Sequence, residues 1–282
     1  VLFRSPRMGE GEAVKVAVRL RPFNARETER GAKIIIKMDG EMTSITNPEN
    51  GEEKKFSFDY SYWSHDKSQP FADQEQVFQD LGLGVLKQAW GGFNVSLFAY
   101  GQTGSGKSYS MVGYGEDKGI IPKICEEIFR RTEEEAKNGD GSVQYSVEVS
   151  MLEIYNEQIK DLLSAKKQAA GGLKIRENKA AGVYVEGLSK HFVESYKQVD
   201  AKMNQGTLNR TVASTNMNAT SSRAHTVFTL FFSKTSVDME TKRARKIGSK
   251  INLIDLAGSE RAESTGATGD RLMEGAAINK RL

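Results

Sequence analysis

The chain has 282 residues, 38% of them hydrophobic and 27% charged, with a formal net charge of +3. That balance describes a soluble globular protein of one large or two small domains; it offers no case for nucleic-acid binding, and no apolar run approaches a membrane span. The single cysteine, Cys125, excludes an intrachain disulfide, and three histidines (His65, His191 and His225) do not make a His-rich metal site, so a reducing cytosol is the expected compartment.

Residues 1–7, ahead of Met8, do not read as the start of a domain; an expression remnant and a disordered arm are both open, and one domain is expected from residue 8 onward. Val14 to Leu20 alternates as a strand that Arg21-Pro22 ends. Ile34 to Met38 and Thr43 to Thr46 read as a peripheral hairpin, and Lys55 to Tyr60 as a further strand. Tyr60, Tyr62 and Trp63 form an aromatic cluster that reads as core rather than a ligand cage. Pro70 to Gln88 has helical spacing, and Asn94 to Tyr100 is a mostly apolar buried strand.

After Lys107 a short helix is expected, then an exposed loop at residues 113–119 that could close over a base or be a harmless insertion. A second helix begins near Pro122 and runs to about Lys137. Ser142 to Tyr155 is a long alternating strand, and Leu173 to Ile175 with Gly182 to Val185 make a small hairpin. Ser195 with Gln198 predicts a capped helix to about Asn209. Thr226 to Lys234 and Ile251 to Asp255 are strands. Strands alternating with helices predict a three-layer α/β domain.

The functional signal starts at Gly101-Gln102-Thr103-Gly104-Ser105-Gly106-Lys107-Ser108, a complete G-x-x-x-x-G-K-[ST] phosphate loop between a strand and a helix. Its glycines allow close backbone approach, its N–H groups form an anion nest, Lys107 reaches β- and γ-phosphates, and the Ser108 hydroxyl ligates Mg²⁺. A chance glycine-rich turn is the competing explanation, and the strand–loop–helix context argues against it. Asp255-Leu256-Ala257-Gly258-Ser259-Glu260 follows a buried strand, where an acid serves the metal directly or through water and Gly258 leaves its N–H open to a γ-phosphate. By itself that string could equally be a strand end and a turn. Asn218-Ala219-Thr220-Ser221-Ser222-Arg223-Ala224-His225 sets hydroxyls beside an arginine, as a γ-phosphate and Mg²⁺ sensor would; a polar helix-to-strand connection is the alternative. No N-K-x-D guanine signature accompanies these motifs.

Together and in this order, the phosphate loop, N-x-x-S-S-R-x-H and D-L-A-G-S-E resemble kinesin motor domains. Arg19-Leu20-Arg21-Pro22 is similar to the family's R-x-R-P, Met151 to Glu157 to its E-I-Y-N-E stretch, and Gly275 to Lys280 to the start of its relay helix. Phe58 to His65 and Asn24 to Glu27 look most like the kinesin-three subfamily of organelle transporters. The resemblance covers about Val14 to Leu282. It implies a P-loop NTPase motor fold, with a central mixed, mostly parallel sheet and helices on both faces.

The resemblance implies an ATP-hydrolysing, microtubule-stimulated motor core with ATP/ADP and Mg²⁺, located in the cytoplasm on the microtubule cytoskeleton. Arg19, Arg21, Pro22 and Tyr109 would flank the adenine, and Gln102, Thr103, Gly104, Ser105, Gly106, Lys107 and Ser108 the phosphates. Ser108, Ser222 and Asp255 would serve the metal, while Lys107, Ser221, Ser222, Arg223, Gly258 and Glu260 would serve hydrolysis, with Arg223 and Glu260 pairing when the switches close. Lys174, Arg176, Lys179, Lys280 and Arg281 would meet the acidic microtubule, or be a solvated charged face. No nucleic acid and no direct membrane contact are expected of this segment.

Two departures stand out: Ala224 and Arg281 occupy positions where the family usually has Ser. Family motor domains also continue past the position of Leu282, so the resemblance implies a chain cut near the relay-helix start, marginal as a free polypeptide, with cargo and dimerising regions outside it. A nucleotide-holding microtubule-binding module with little turnover is the alternative, and a small-molecule kinase or transporter-type ATPase, which leaves the two switch motifs unexplained, is a third.

Overall fold

The computed structural model describes residues 14–166, 171–179, 182–215, 223–238, 240–241 and 243–260. The first strand, β1 (Ala17–Leu20), is shorter than its alternation suggests. The Val16 amide is taken by the Asp59 carboxylate at 2.7 Å instead of by a ladder partner. That contact also splits the expected 55–60 strand: β4 (Glu53–Ser57) ends before Asp59, and β5 (Tyr60–Trp63) begins after it, pairing in parallel with β1. β2 (Ile36–Asp39), β3 (Met42–Thr46) and β4 form a separate antiparallel sheet. Between β1 and β2, α1 (Ala25–Glu29) is closed by a capping box in which Asn24 and Glu27 exchange side-chain-to-backbone hydrogen bonds.

The helical stretch expected from Pro70 begins at the Asp73 cap. It comprises α2 (Gln74–Val77), a wide turn over Phe78–Gly82 and α3 (Leu83–Trp90). β6 (Val95–Ala99) leads through the glycine-rich loop into α4 (Lys107–Met111). Residues 113–119, expected as a loop, contain a minimal hairpin of β7 (Gly113–Tyr114) and β8 (Asp117–Lys118) before α5 (Ile120–Asn138). β9 (Val143–Tyr155) folds back at once on β10 (Gln158–Asp161). The turn residues Asn156 and Glu157 both have positive φ, 45° and 63°, the twist a two-residue hairpin requires.

The small hairpin is β11 (Lys174–Asn178) with β12 (Gly182–Glu186), and β13 (His191–Val193) follows. α6 (Tyr196–Thr215) outlasts the expected end at Asn209. β14 (His225–Val237) and β15 (Ala244–Asp255) form a long hairpin.

The central sheet runs β10-β9-β14-β15-β6, with β13 also on β9. It is mixed as expected, but antiparallel pairings predominate in the described part: only β15–β6 is parallel there. The reason is connectivity, since β9–β10 and β14–β15 are joined by short turns, which can only give antiparallel neighbours. Val85 and Leu86 of α3, Ile124 and Ile128 of α5 and Val199 of α6 are sealed against Leu97, Val149, Leu230 and Leu253 in one core. Tyr62 and Trp63 are buried, in keeping with the core reading of the aromatic cluster. The relay-helix motif, residues 275–280, lies outside the described residues. Among the described residues no helix is long and apolar enough to cross a membrane.

Candidate nucleotide site

Because β15 and β6 run in parallel, their carboxyl ends emerge at the same end of the sheet, where open α/β sheets bind ligands. Asp255 stands in register with Ala99, and the Leu256 amide donates to the Ala99 carbonyl at 3.1 Å. The Ser259 amide donates to the Gly101 carbonyl at 3.1 Å, so the D-L-A-G-S-E segment lies alongside the phosphate loop. The loop turns through positive φ at Gly101 (152°), Gly104 (77°) and Gly106 (92°), and a Cβ at Gly101 would sit 2.6 Å from Ser105 Oγ.

Lys107 Nζ donates to the Gly101 and Gln102 carbonyls at 2.8 and 3.0 Å. Burial lowers its pKa, against the opposing pull of Asp255 and Glu260. Ser108 Oγ donates to Asp255 Oδ2 at 2.7 Å, while Asp255 Oδ1 is buried with no hydrogen-bond partner among the described residues. A hydroxyl beside a carboxylate that keeps one oxygen orphaned is the kind of donor set a hard divalent cation takes, so the residues present fit Mg²⁺. Glu260 clamps the loop from the other side: Oε2 accepts from the Thr103 amide at 2.8 Å and Oε1 from the Thr103 hydroxyl at 2.5 Å. Burial favours the protonated acid, but the Thr103 bonds outweigh it and hold Glu260 below the ordinary carboxylate value.

Two cavities flank the loop. One, of about 190 Å³, is lined by Thr103, Gly104, Lys107, Ser108, Asp255, Leu256 and Gly258, and also by Ala224 and Arg210. Arg210 escaped the sequence reading; it projects from α6, outside any motif, and donates to Thr226 Oγ1 at 2.9 Å. The other cavity, of about 400 Å³, gathers Arg19, Arg21, Pro22, Ser105, Gly106 and Tyr109 with four residues that were missed: Ser64, Phe71, Ser110 and Tyr114. Only the base-closing option left open for residues 113–119 hinted at Tyr114.

Arg19 is fixed by Ser64 Oγ (2.9 Å), Gln74 Oε1 (2.7 Å) and Ser110 Oγ (3.0 Å), with its guanidinium 5.3 Å from the Tyr109 ring centroid. Arg21 Nε donates to the Gly104 carbonyl at 2.7 Å, and its two terminal nitrogens grip Glu27, whose pKa falls to about 2.

Arg223 sits one residue ahead of Ala224 at the entrance to β14, and His225 Nδ1 accepts the Ala257 amide at 3.1 Å, tying the N-x-x-S-S-R-x-H segment to D-L-A-G-S-E. Gln102 lines neither cavity; it contributes its carbonyl to Lys107. Lys174, Arg176 and Lys179 are exposed on the β11–β12 hairpin, apart from both cavities, and Arg176 pairs across it with Glu186 at 3.0 Å. Ser221, Ser222, Lys280 and Arg281 lie outside the described residues.

The family model for the kinesin motor domain matches residues 19–282. Kinesin-related protein 1 of Dictyostelium discoideum is 56% identical over 281 residues, covering 95% of this chain and 13% of its own length. Human kinesin-like protein KIF1B is 53% identical over 278 residues, covering 96% of this chain and 15% of its own. The chain thus spans a small fraction of these relatives. The structure of KIF14 with ADP in complex with a microtubule matches with a TM-score of 0.83 at 42% identity, over 94% of this chain and 74% of that one. A fast kinesin matches at 0.80 and 35%, over 94% and 71%. From residue 19 onward, this chain belongs to the kinesin motor-domain family.

Proposed function

We propose that the chain is the catalytic core of an ATP-driven microtubule motor. The observation that carries this is the Ser108–Asp255 pair with its orphaned Asp255 oxygen, lining the phosphate-sized one of the two cavities that flank the loop. Tyr109, Pro22 and Arg19 hold the adenine in the larger cavity. Lys107 exchanges the Gly101 and Gln102 carbonyls for the β- and γ-phosphates, and the loop N–H groups take the rest of the anion's charge. Ser108 and Ser222, with Asp255, would hold Mg²⁺, which would supply charge neutralisation of the phosphates.

Hydrolysis is in-line attack of water on the γ-phosphoryl group, a reaction governed by positioning and charge stabilisation. Gly258 offers its N–H to the γ-phosphate. Ser221 and Glu260 orient water and pass on its proton, and Arg223 closes onto Glu260 once Glu260 leaves Thr103. This exchange of partners gives the two switches two arrangements, which is the requirement for coupling nucleotide state to track affinity. Lys174, Arg176 and Lys179, with Lys280 and Arg281, meet the acidic track.

The test is phosphate release from ATP with and without microtubules. Strong stimulation is expected. Nucleotide binding without turnover would favour a binding module, and phosphoryl transfer to an acceptor other than water would overturn the hydrolase reading.

A further inference from the structure

Away from the nucleotide, one stretch of sheet edge is open. β14 pairs with β9 along residues 143–154. On the other side β10 takes residues 152–155 and β13 takes 147–149. Residues 143–146 have no strand on that side among the described residues. β13 cannot continue along them: the Glu194 amide is taken by Gln198 Oε1 at 2.9 Å, and Ser195 opens α6. An unpaired edge of this kind is a template for an added strand.

The open edge borders a cavity of about 580 Å³ between β9, β13 and α5. Phe129, Ala136, Val147 and Val193 give it apolar wall, and Phe192, 72% exposed, stands at its rim. The two charged residues that line it, Glu133 and Glu194, are both acids. Tyr145, on the same wall, is held rigid: its hydroxyl donates to Glu135, and its ring lies 5.7 Å from Phe232 and 5.5 Å from Lys234 Nζ. The neighbouring cation, Lys234, is thereby engaged with Glu135, at 3.5 Å, rather than with the acidic rim.

We propose that this edge binds an extended segment of a partner protein in which apolar and basic residues alternate, added to β9 in line with β13. Backbone hydrogen bonds supply the pairing, and alternate side chains supply the choice of partner. Apolar residues on the α5 side of the added strand cover Phe129, Ala136 and Val147, and its cations, on the opposite face with Phe192, meet Glu194. A second copy of this chain is the poorer occupant, because edge-to-edge pairing brings the acidic rims together. The surface shares no residue with either nucleotide cavity, so the proposal stands apart from the ATPase reading.

The test uses three synthetic octapeptides: four Lys-Val repeats, four Glu-Val repeats, and a block-order isomer of the first. Binding is read by fluorescence anisotropy, and hydrogen–deuterium exchange is followed at the amides of residues 143–146 that point away from β14. The alternating basic peptide slows that exchange and binds about tenfold more tightly than the other two. The reversal Glu194→Lys, at an exposed position, moves the preference to the acidic peptide, and Phe192→Ser weakens both. Unchanged exchange at 143–146, or equal binding of basic and acidic peptides, overturns the proposal. So does protection that grows with protein concentration without peptide, which assigns the edge to a second copy.

Discussion

Gly258→Ala tests the site at its tightest point. An ideal Cβ there would lie 2.2 and 2.7 Å from the Glu260 carboxylate oxygens and 2.4 Å from Thr103 Oγ1, all closer than real contacts allow. The atoms that must yield are side-chain ends, so the carboxylate leaves Thr103 while the backbone stays. That forfeits two charge-assisted hydrogen bonds, each worth about 1.5–3 kcal/mol when fully buried. Glu260 is only half-buried, and solvent screening reduces the pair to about 1–2 kcal/mol. Because Glu260 must leave Thr103 before Arg223 closes onto it, loss of this resting clamp raises turnover by up to about five- to thirtyfold. Nucleotide affinity stays within about twofold, because Lys107 and Ser108 are untouched. The assay pairs steady-state phosphate release with titration of a fluorescent ADP analogue. Unchanged or slower turnover, or a change in affinity as large as the change in turnover, would refute the reasoning.

Three further outcomes follow from the same geometry. Tyr114→Ala, at a residue 68% exposed and so of little consequence for folding, weakens ATP binding by about 1–3 kcal/mol if the ring stacks on the base, while tripolyphosphate affinity is unchanged in calorimetry. Ser108→Ala removes the hydroxyl that donates to the Asp255 carboxylate; the Mg²⁺ concentration for half-maximal nucleotide retention rises about tenfold or more, whereas metal-free nucleotide binding changes little. Glu27 has a folded pKa of about 2 against an ordinary 4.5, so its contribution to stability is fully present above about pH 4.5 and is lost as pH falls through 2. The melting-temperature gap between wild type and Glu27→Gln should therefore close on acidification; a gap constant from pH 7 to 2 would show that the Arg21 contact contributes nothing through charge.

The sequence by itself determined the motifs of the candidate site and most of their scaffold. Contiguous strings did this: the phosphate loop, D-L-A-G-S-E and the strand periodicities depend on residues close together in the chain, where spacing alone dictates what the backbone can present. The same locality let the β11–β12 hairpin and the Ser195 start of α6 be read in advance. What required the tertiary structure was every relation between distant segments. The phosphate loop meets Asp255 because parallel β6 and β15 bring their carboxyl ends together across more than a hundred and fifty residues, and no periodicity encodes strand order.

Arg210, Phe71 and Tyr114 sit in ordinary helical or loop sequence and become site residues only when α6, the segment before α2 and the β7–β8 hairpin pack around the loop. The sheet is mixed, as the family resemblance implied, but among the described residues its pairings are mainly antiparallel, for a reason just as non-local in outcome: the two-residue turn at Asn156-Glu157 and the short β14–β15 connection decide direction, and packing then commits their partners. Local composition fixes which groups can do chemistry; the free energy of burying Val149, Leu230, Leu253 and Leu97 in one core decides which of them meet.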